Sequence, residues 1–421
     1  MKATRYLVIA LLALLVPAGL ASAQAIRWTS QFGTTGFDAI YQLDIHAGDV
    51  YGVGEAEGAL PGQTWAGSCD VIVRKYRGRG DVKWTRQFGT SGCDFAEGIA
   101  VGGGALYIGG TVEGALPGQT HGGSFDAFAR KYDEDGDELW TRQFGGAGFD
   151  TAAGAAANDG AVYVVGQTFG ALPGQPPSSS FDAYVRKYDA SGNELWTRQF
   201  RGAGGASAMA NEIDLSPDGV VVVGRVAGAL RDQSHAGARD VFVRKYDPNG
   251  NELWTRQFGT PGNDIGWGVD VQGSEIYVSG DVGGALPGQT FAGGPSDAFV
   301  RKYDAAGNEL WTRQFGTAGF DRAIRVAADG AKAIVVGRVG GALPGQTFSG
   351  GATDPFVRQY DVDGNEGWTI QFGGALEPEA ATGVALDGDI FVSGGVSGAL
   401  PGQTSAGYID AFVMKILAGD E

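Results

Sequence analysis

One phrase returns seven times along this chain. Its commonest form is ELWTRQFG, as at residues 138–145, and its tryptophans are Trp28, Trp84, Trp140, Trp196, Trp254, Trp311 and Trp368. Successive spacings are 56, 56, 56, 58, 57 and 57 residues, and 53 residues follow the last one. A fixed period of this length marks one supersecondary unit set beside copies of itself, because a single unit cannot bury its apolar face alone. The repeats therefore override the division into two or three domains that 421 residues would otherwise imply.

Each period holds four strand-like stretches. In the second period, residues 95–101 are mixed apolar. ALYIGGTV (Ala105–Val112) is apolar with little alternation, as a strand buried on both faces reads. DAFARKY (Asp126–Tyr132) and ELWTRQF (Glu138–Phe144) complete the unit, with Trp140, Arg142 and Phe144 on one face. The last two are joined by Asp133-Glu-Asp-Gly-Asp137, whose equivalents are Asp189-Ala-Ser-Gly-Asn193, Asp247-Pro-Asn-Gly-Asn251 and Asp304-Ala-Ala-Gly-Asn308. Asp closes a side-chain turn and Gly accepts positive φ, so these are hairpin loops. The 74 glycines fit many such turns.

Four antiparallel strands per unit, seven times over, predict an all-β, seven-bladed β-propeller. A parallel β-helix has shorter coils, and a β-sandwich does not repeat its sequence. The ends support the ring. Residues 26–33, IRWTSQFG, read as an outermost strand without its blade, and Asp410–Ile416, DAFVMKI, as a third strand without a fourth. Pairing them closes the ring and leaves neither edge exposed.

The run DAFVRKYDAAGNELWTRQFG at residues 297–316, leading into GTAGFD and later IVVGRVGGALPGQT, is similar to the SBBP β-propeller repeats of exported prokaryotic proteins. The resemblance spans residues 26–416. It implies a propeller and an exported location, and it carries over no catalytic residue. A regular GALPGQT insertion between the second and third strands departs from that pattern.

Residues 1–23 read as a secretory signal peptide, with Lys2 and Arg5 before an apolar run and Ala21-Ser22-Ala23 as the cleavage site. The apolar run is too short for a membrane anchor, and no later stretch can span a bilayer as a helix. The expected mature chain, 24–421, is a single exported propeller domain and a monomer, periplasmic or extracellular. The net charge of −17 disfavours a nucleic-acid partner.

Cys69 and Cys93 are the only cysteines, on loops expected at one face of neighbouring blades, and a disulfide is expected between them. No HExxH, GxSxG, P-loop or CxxC motif occurs, and His46, His121 and His235 are the only histidines. Neither a cofactor nor a metal is expected. The Asp-x-Asp-Gly-Asp loop only faintly resembles a calcium loop, since other copies lose its central carboxylate.

Residues present in every blade belong to the fold. This covers Asp70, Asp126, Asp182, Asp240, Asp297, Asp354 and Asp410 before the third strands, and Asp38, Asp94, Asp150, Asp264 and Asp321 before most first strands. These carboxylates are expected to accept N–H groups of the preceding loop. Arg74, Arg130, Arg186, Arg244, Arg301 and Arg358 are expected to pair with carboxylates or stack on aromatic rings.

Function is expected where the repeats differ. The position after GALPGQT holds Trp65, His121, Pro177, His235, Phe291, Phe348 and Ser405. Exposed rings on a rigid rim suit sugar stacking or a protein partner. The fourth repeat is irregular, and Arg201, Arg231, His235 and Arg239 are candidates for a basic, anion-binding spot. The expected function is a non-enzymatic scaffold presenting seven loops to a polysaccharide, envelope component or protein. The alternative is a propeller hydrolase or lyase acting on an extracellular carbohydrate or small molecule. That alternative needs unlike polar groups to converge at the axis, which the repeats do not display.

Overall fold

A computed structural model describes residues 25–374 and 379–418. The expected signal peptide lies outside these residues. The described chain forms seven four-stranded antiparallel sheets. Blades one to six span residues 38–88, 95–144, 151–200, 208–258, 265–315 and 322–371. Blade seven joins residues 380–416 to Ile26–Phe32, which pairs antiparallel with Asp410–Ile416, Phe32 opposite Ala411. The out-of-phase ends therefore do close the ring. The predicted strands of blade two match the observed ones, with one residue more on the first, Phe95–Gly102. No helix among the described residues is long and apolar enough to cross a membrane.

The core lies between blades. Seven clusters of buried side chains form, each drawing on two neighbouring blades: Val53, Val71 and Val73 of blade one, for example, pack on Ile99, Leu106 and Phe128 of blade two. The repeated polar residues seal the same interfaces. Trp84 Nε1 donates to Glu134 O at 3.1 Å and Arg86 Nε to Gly136 O at 2.8 Å, both in the next blade's hairpin. Gly136 has φ +79°, and a Cβ there would lie 2.9 Å from the Trp84 ring. Arg130 stacks 3.7 Å over the Phe88 ring of the previous blade and pairs with Glu138 at 3.2 Å.

GALPGQT is a clasp. Pro61-Gly62 makes a tight turn in which Gln63 N donates to Leu60 O at 2.9 Å, with Gly62 at φ +76°. Leu60 is buried. Its N–H donates to Gln87 Oε1 at 3.0 Å, and Gln87 Nε2 returns bonds to Gly58 O at 2.8 Å and Asp70 Oδ2 at 3.0 Å. Gln87 of the outermost strand thus ties the loop to the third-strand aspartate. The hairpin aspartates act similarly on their own loops: Asp133 Oδ1 accepts the N–H groups of Asp135 and Asp137 at 3.0 and 2.8 Å.

The irregular fourth repeat keeps this geometry. Arg231-Asp232 replaces Pro-Gly, Asp232 takes φ +57°, and Gln233 N still donates to Leu230 O at 3.0 Å. Its missing first-strand aspartate is explained by Arg201. Elsewhere a glycine lies between two carboxylates, as Gly145 lies between Asp126 and Asp150. In the fourth repeat Arg201 replaces that glycine and places NH1 3.6 Å from Asp182. In blade seven Glu379 replaces the aspartate, accepting Gly374 N at 2.7 Å and Ser397 N at 2.8 Å.

Candidate functional site

Each innermost strand carries one β-bulge, and the seven bulged residues are Tyr41, Glu97, Ala153, Asn211, Trp267, Ile324 and Thr382. A bulge re-aims a side chain out of the strand's alternation. All seven line a single cavity of about 540 Å³ at the axis, which opens on the loop face beside Phe37 and Tyr408. Seven equivalent backbone positions thus carry seven different residue types, inside a chain whose outermost strands are nearly copies.

The next residue of each inner strand forms a waist. Glycine stands there in four blades, at Gly98, Gly154, Gly268 and Gly383. A Cβ on Gly98 would lie 2.7 Å from the Gly154 backbone, so the inner strands meet too closely for side chains. The other three positions hold Gln42, Glu212 and Arg325, which close the axis. Gln42 Nε2 donates to Glu212 Oε2 at 3.0 Å, and Arg325 Nε lies 3.0 Å from the same oxygen. Burial pushes Glu212 up to about 7 despite Arg325. Beyond the waist lies a second cavity of about 330 Å³ bordered by Asp44, Asp214 and Asp270. Each of these carboxylates accepts an N–H of the next blade, from Val101, Val271 and Ala328 respectively, at 2.6, 2.7 and 3.1 Å.

The loop-face cavity has unlike walls. On blades one and two, Tyr41 OH donates a short hydrogen bond to Glu55. Burial pushes Glu55 up to about 7, against the favourable Tyr41 bond, and burial also raises Glu97. On blade six stand Arg322 and Arg338, while Arg225 of blade four borders the neighbouring recess. Arg322 Nε pairs with Asp281 Oδ1 at 2.8 Å, and Trp267 Nε1 donates to the same oxygen at 2.5 Å. The Arg322 guanidinium lies 4.3 Å from the Trp267 ring centre. Arg322 and Arg338 each lie 4.9 Å from the Phe320 ring centre. Burial, then repulsion by Arg322, lowers Arg338 to about 10, and its buried Nε has no hydrogen-bond partner among the described residues. The strands of blades three and seven contribute the small side chains Ala153, Ala380, Thr382 and Gly395 between these walls, and the loop of blade seven adds Tyr408 and Ile409.

The predicted site residues fall outside this cavity. Trp65 is 48% exposed on its loop. His121 and His235 lie 3.4 and 3.7 Å from the structural carboxylates Asp126 and Asp240. Phe291 and Phe348 are half-buried on their loops. Arg201 is engaged by Asp182 and by Pro177 O. Arg231 is exposed at its turn, while Arg239 borders a recess of about 220 Å³ with Arg225 and Met209, the last shared with the axial cavity. Cys69 and Cys93 are disulfide-bonded, with Cα atoms 4.4 Å apart. The bridge takes the place of the Phe125–Phe149 contact one blade on. Cys69 Sγ lies 3.2 Å from Glu55 Oε2, so these three side chains cluster, but the bonded sulfurs are not thiolate ligands for a metal.

Sequence reasoning passed over the bulge ring because variation was sought on the loops and not within the inner strands. The signal was present: the column Tyr41, Glu97, Ala153, Asn211, Trp267, Ile324, Thr382 changes at every step amid recurring neighbours. The unlike polar groups do converge at the axis, contrary to the expectation from the repeats.

No family model matches the chain. The "Regulatory protein FlaEY" of Caulobacter vibrioides is 28% identical over 369 residues, covering 75% of this chain and 38% of that protein, so the chain spans under two fifths of its length. The WD40 domain of Neurospora crassa Pan2 has a TM-score of 0.52 at 9% identity, covering 94% of this chain and 98% of that one. The WD40 β-propeller domain of Doa1 gives 0.51 at 11% identity with the same coverage, 94% and 98%. At these identities the likeness is one of fold, and the chain is a closed seven-bladed β-propeller with an asymmetric cavity at the loop-face end of its axis.

Proposed function

We propose that this protein is a ligand-binding module of the exported SBBP type, residues 24–421 forming one monomeric domain, and that its ligand seats in the loop-face axial cavity. The observation that carries this reading is the bulge ring, where seven unlike residues share one cavity. A volume of about 540 Å³ falls within the roughly 300–1,000 Å³ of small-molecule sites. Trp65, His121, His235, Phe291 and Phe348, with Arg231, sit on loops clasped to the outermost strands and would extend contact to a longer chain such as a polysaccharide or a protein partner. The name of the Caulobacter relative, a regulatory protein, is compatible with a sensing role for ligand capture. Export rests on the N-terminal pattern and on the Cys69–Cys93 bond, which suits an oxidising compartment. Secreted protein beginning at Gln24 supports it, and an intact Met1 terminus contradicts it.

A thermal-shift screen of small molecules and oligosaccharides tests the site. Ala153→Trp fills the cavity with a residue that the equivalent position of blade five already holds, Trp267. Ligands that raise the melting temperature of the parent but not of Ala153→Trp support the cavity. Ligands that stabilise both alike, while failing on Trp65→Ala, place binding on the rim instead.

A second reading, a hydrolase or lyase, is favoured by the Tyr41–Glu55 pair. A carboxyl near 7 is suited to proton transfer at neutral pH. Turnover lost in Tyr41→Phe with binding retained supports catalysis; no turnover of any bound ligand contradicts it.

A further inference from the structure

We infer that the axial cavity recognises a sugar acid, a hydroxylated ring carrying a carboxylate, with the carboxylate received by Arg338 and Arg322 and the ring lying against Trp267. This rests on the cavity being the binding site, and it names the ligand class.

Three guanidiniums, those of Arg225, Arg322 and Arg338, face the one carboxylate of Asp281, whose Oδ1 is already taken by Arg322 at 2.8 Å and Trp267 at 2.5 Å. This wall carries excess positive charge on a chain of net charge −17. Burial lowers Arg225 and Arg338; Arg239 and then Arg322 repel Arg225, and Arg322 repels Arg338. An anion in the cavity relieves that repulsion and supplies the acceptor that Arg338 Nε lacks. The planar fork of arginine favours a carboxylate, which can accept two parallel N–H bonds.

The remaining walls match the rest of such a ligand. Arg322 and the bond to Asp281 hold the Trp267 ring in place, and Trp267 lines the cavity. A fixed indole suits the apolar face of a sugar ring. Across the cavity Tyr41 and Glu97, and on the blade next to Trp267 Asn211, offer hydrogen-bonding groups for hydroxyls. Behind Tyr41, burial raises Glu55 to about 7, so that at neutral pH this carboxyl can accept or donate in its bond with the Tyr41 hydroxyl. A ligand that is anionic at both ends would meet carboxylates on blades one and two, so a single acid at one end is the best fit.

Calorimetric titration with a hexuronate disaccharide, its full methyl ester and the neutral disaccharide tests this. The acid is expected to bind, with the ester and the neutral sugar weaker by about tenfold or more. Arg338→Met is expected to weaken the acid by a similar factor while leaving the neutral sugar unchanged, and Arg338→Lys to fall between. Matched melting temperatures show that these variants fold. Equal affinity for acid and ester, no binding of the acid, or an unchanged acid affinity in Arg338→Met overturns the inference. Equal affinities that vanish in Ala153→Trp overturn the acid alone and keep the cavity as the site. Affinities that survive Ala153→Trp overturn both.

Discussion

Asp232 stands in the left-handed region at φ +57°, where six other repeats place Gly62, Gly118, Gly174, Gly288, Gly345 and Gly402 at φ +72° to +76°. An aspartate tolerates that conformation only with strain. Asp232→Gly is therefore expected to stabilise the protein by about 0.5–1 kcal/mol in urea unfolding, despite the looser unfolded chain. Gly136→Ala acts the other way. Its Cβ needs positive φ and would meet the Trp84 ring at 2.9 Å, so a loss of about 2–3 kcal/mol is expected in the same measurement. The need for glycine in the Asp-x-x-Gly hairpin was legible from turn chemistry. The tryptophan stacked on it was not, because it comes from the preceding blade some fifty residues away along the chain.

At the scale of single elements, strand positions were readable because Asp and Gly mark the ends of most strand pairs. The GALPGQT loop was recognised as a recurrent feature but not as a clasp, since its partner Gln143 (Gln87 one blade earlier) sits on a strand whose pattern shows only alternation. Gln143 makes bonds to Leu116 N at 2.9 Å, Gly114 O at 3.0 Å and Asp126 Oδ2 at 2.8 Å. Gln143→Ala leaves Asp126 and the loop without these partners. A loss of roughly 2–4 kcal/mol is expected, with faster proteolytic cleavage inside residues 114–121. The bulges were invisible for a different reason. One extra residue alters neither composition nor turn chemistry, yet it turns a side chain from strand alternation into the axis. For the same reason Trp65 and the histidines drew attention as sequence variation on loops, while Glu97 and Trp267 sat unnoticed within strands.

At the scale of the whole molecule the ring depends on two closures. Deleting residues 24–34 removes Ile26–Phe32 from blade seven, and cooperative melting is expected to disappear. Cys69→Ser with Cys93→Ser removes a cross-link between residues 24 apart, and a loss of about 3 kcal/mol is expected by urea unfolding. The buried carboxyls set the pH profile. Burial raises Asp38, Asp44 and Asp264 to about 6 from 3.8, and Glu55 and Glu212 to about 7 from 4.5. Folding therefore takes up protons, and stability is lost as pH rises from about 4 through 7. Calorimetric melting is expected at a higher temperature at pH 5 than at pH 8. Exposed Asp189, Asp247, Asp304 and Asp361 are lowered from 3.8 by their own loops, so part of this gain is lost again below pH 4. The claim on which function turns is that the bulge ring is the binding surface. A crystal structure with a bound hexuronate disaccharide tests it most directly. Ligand density in the axial cavity, touching Trp267 and Arg338 on one wall and Tyr41 or Glu97 on the other, is the expected result. Density confined to the outer rim around Trp65, with the axial cavity empty, would contradict it.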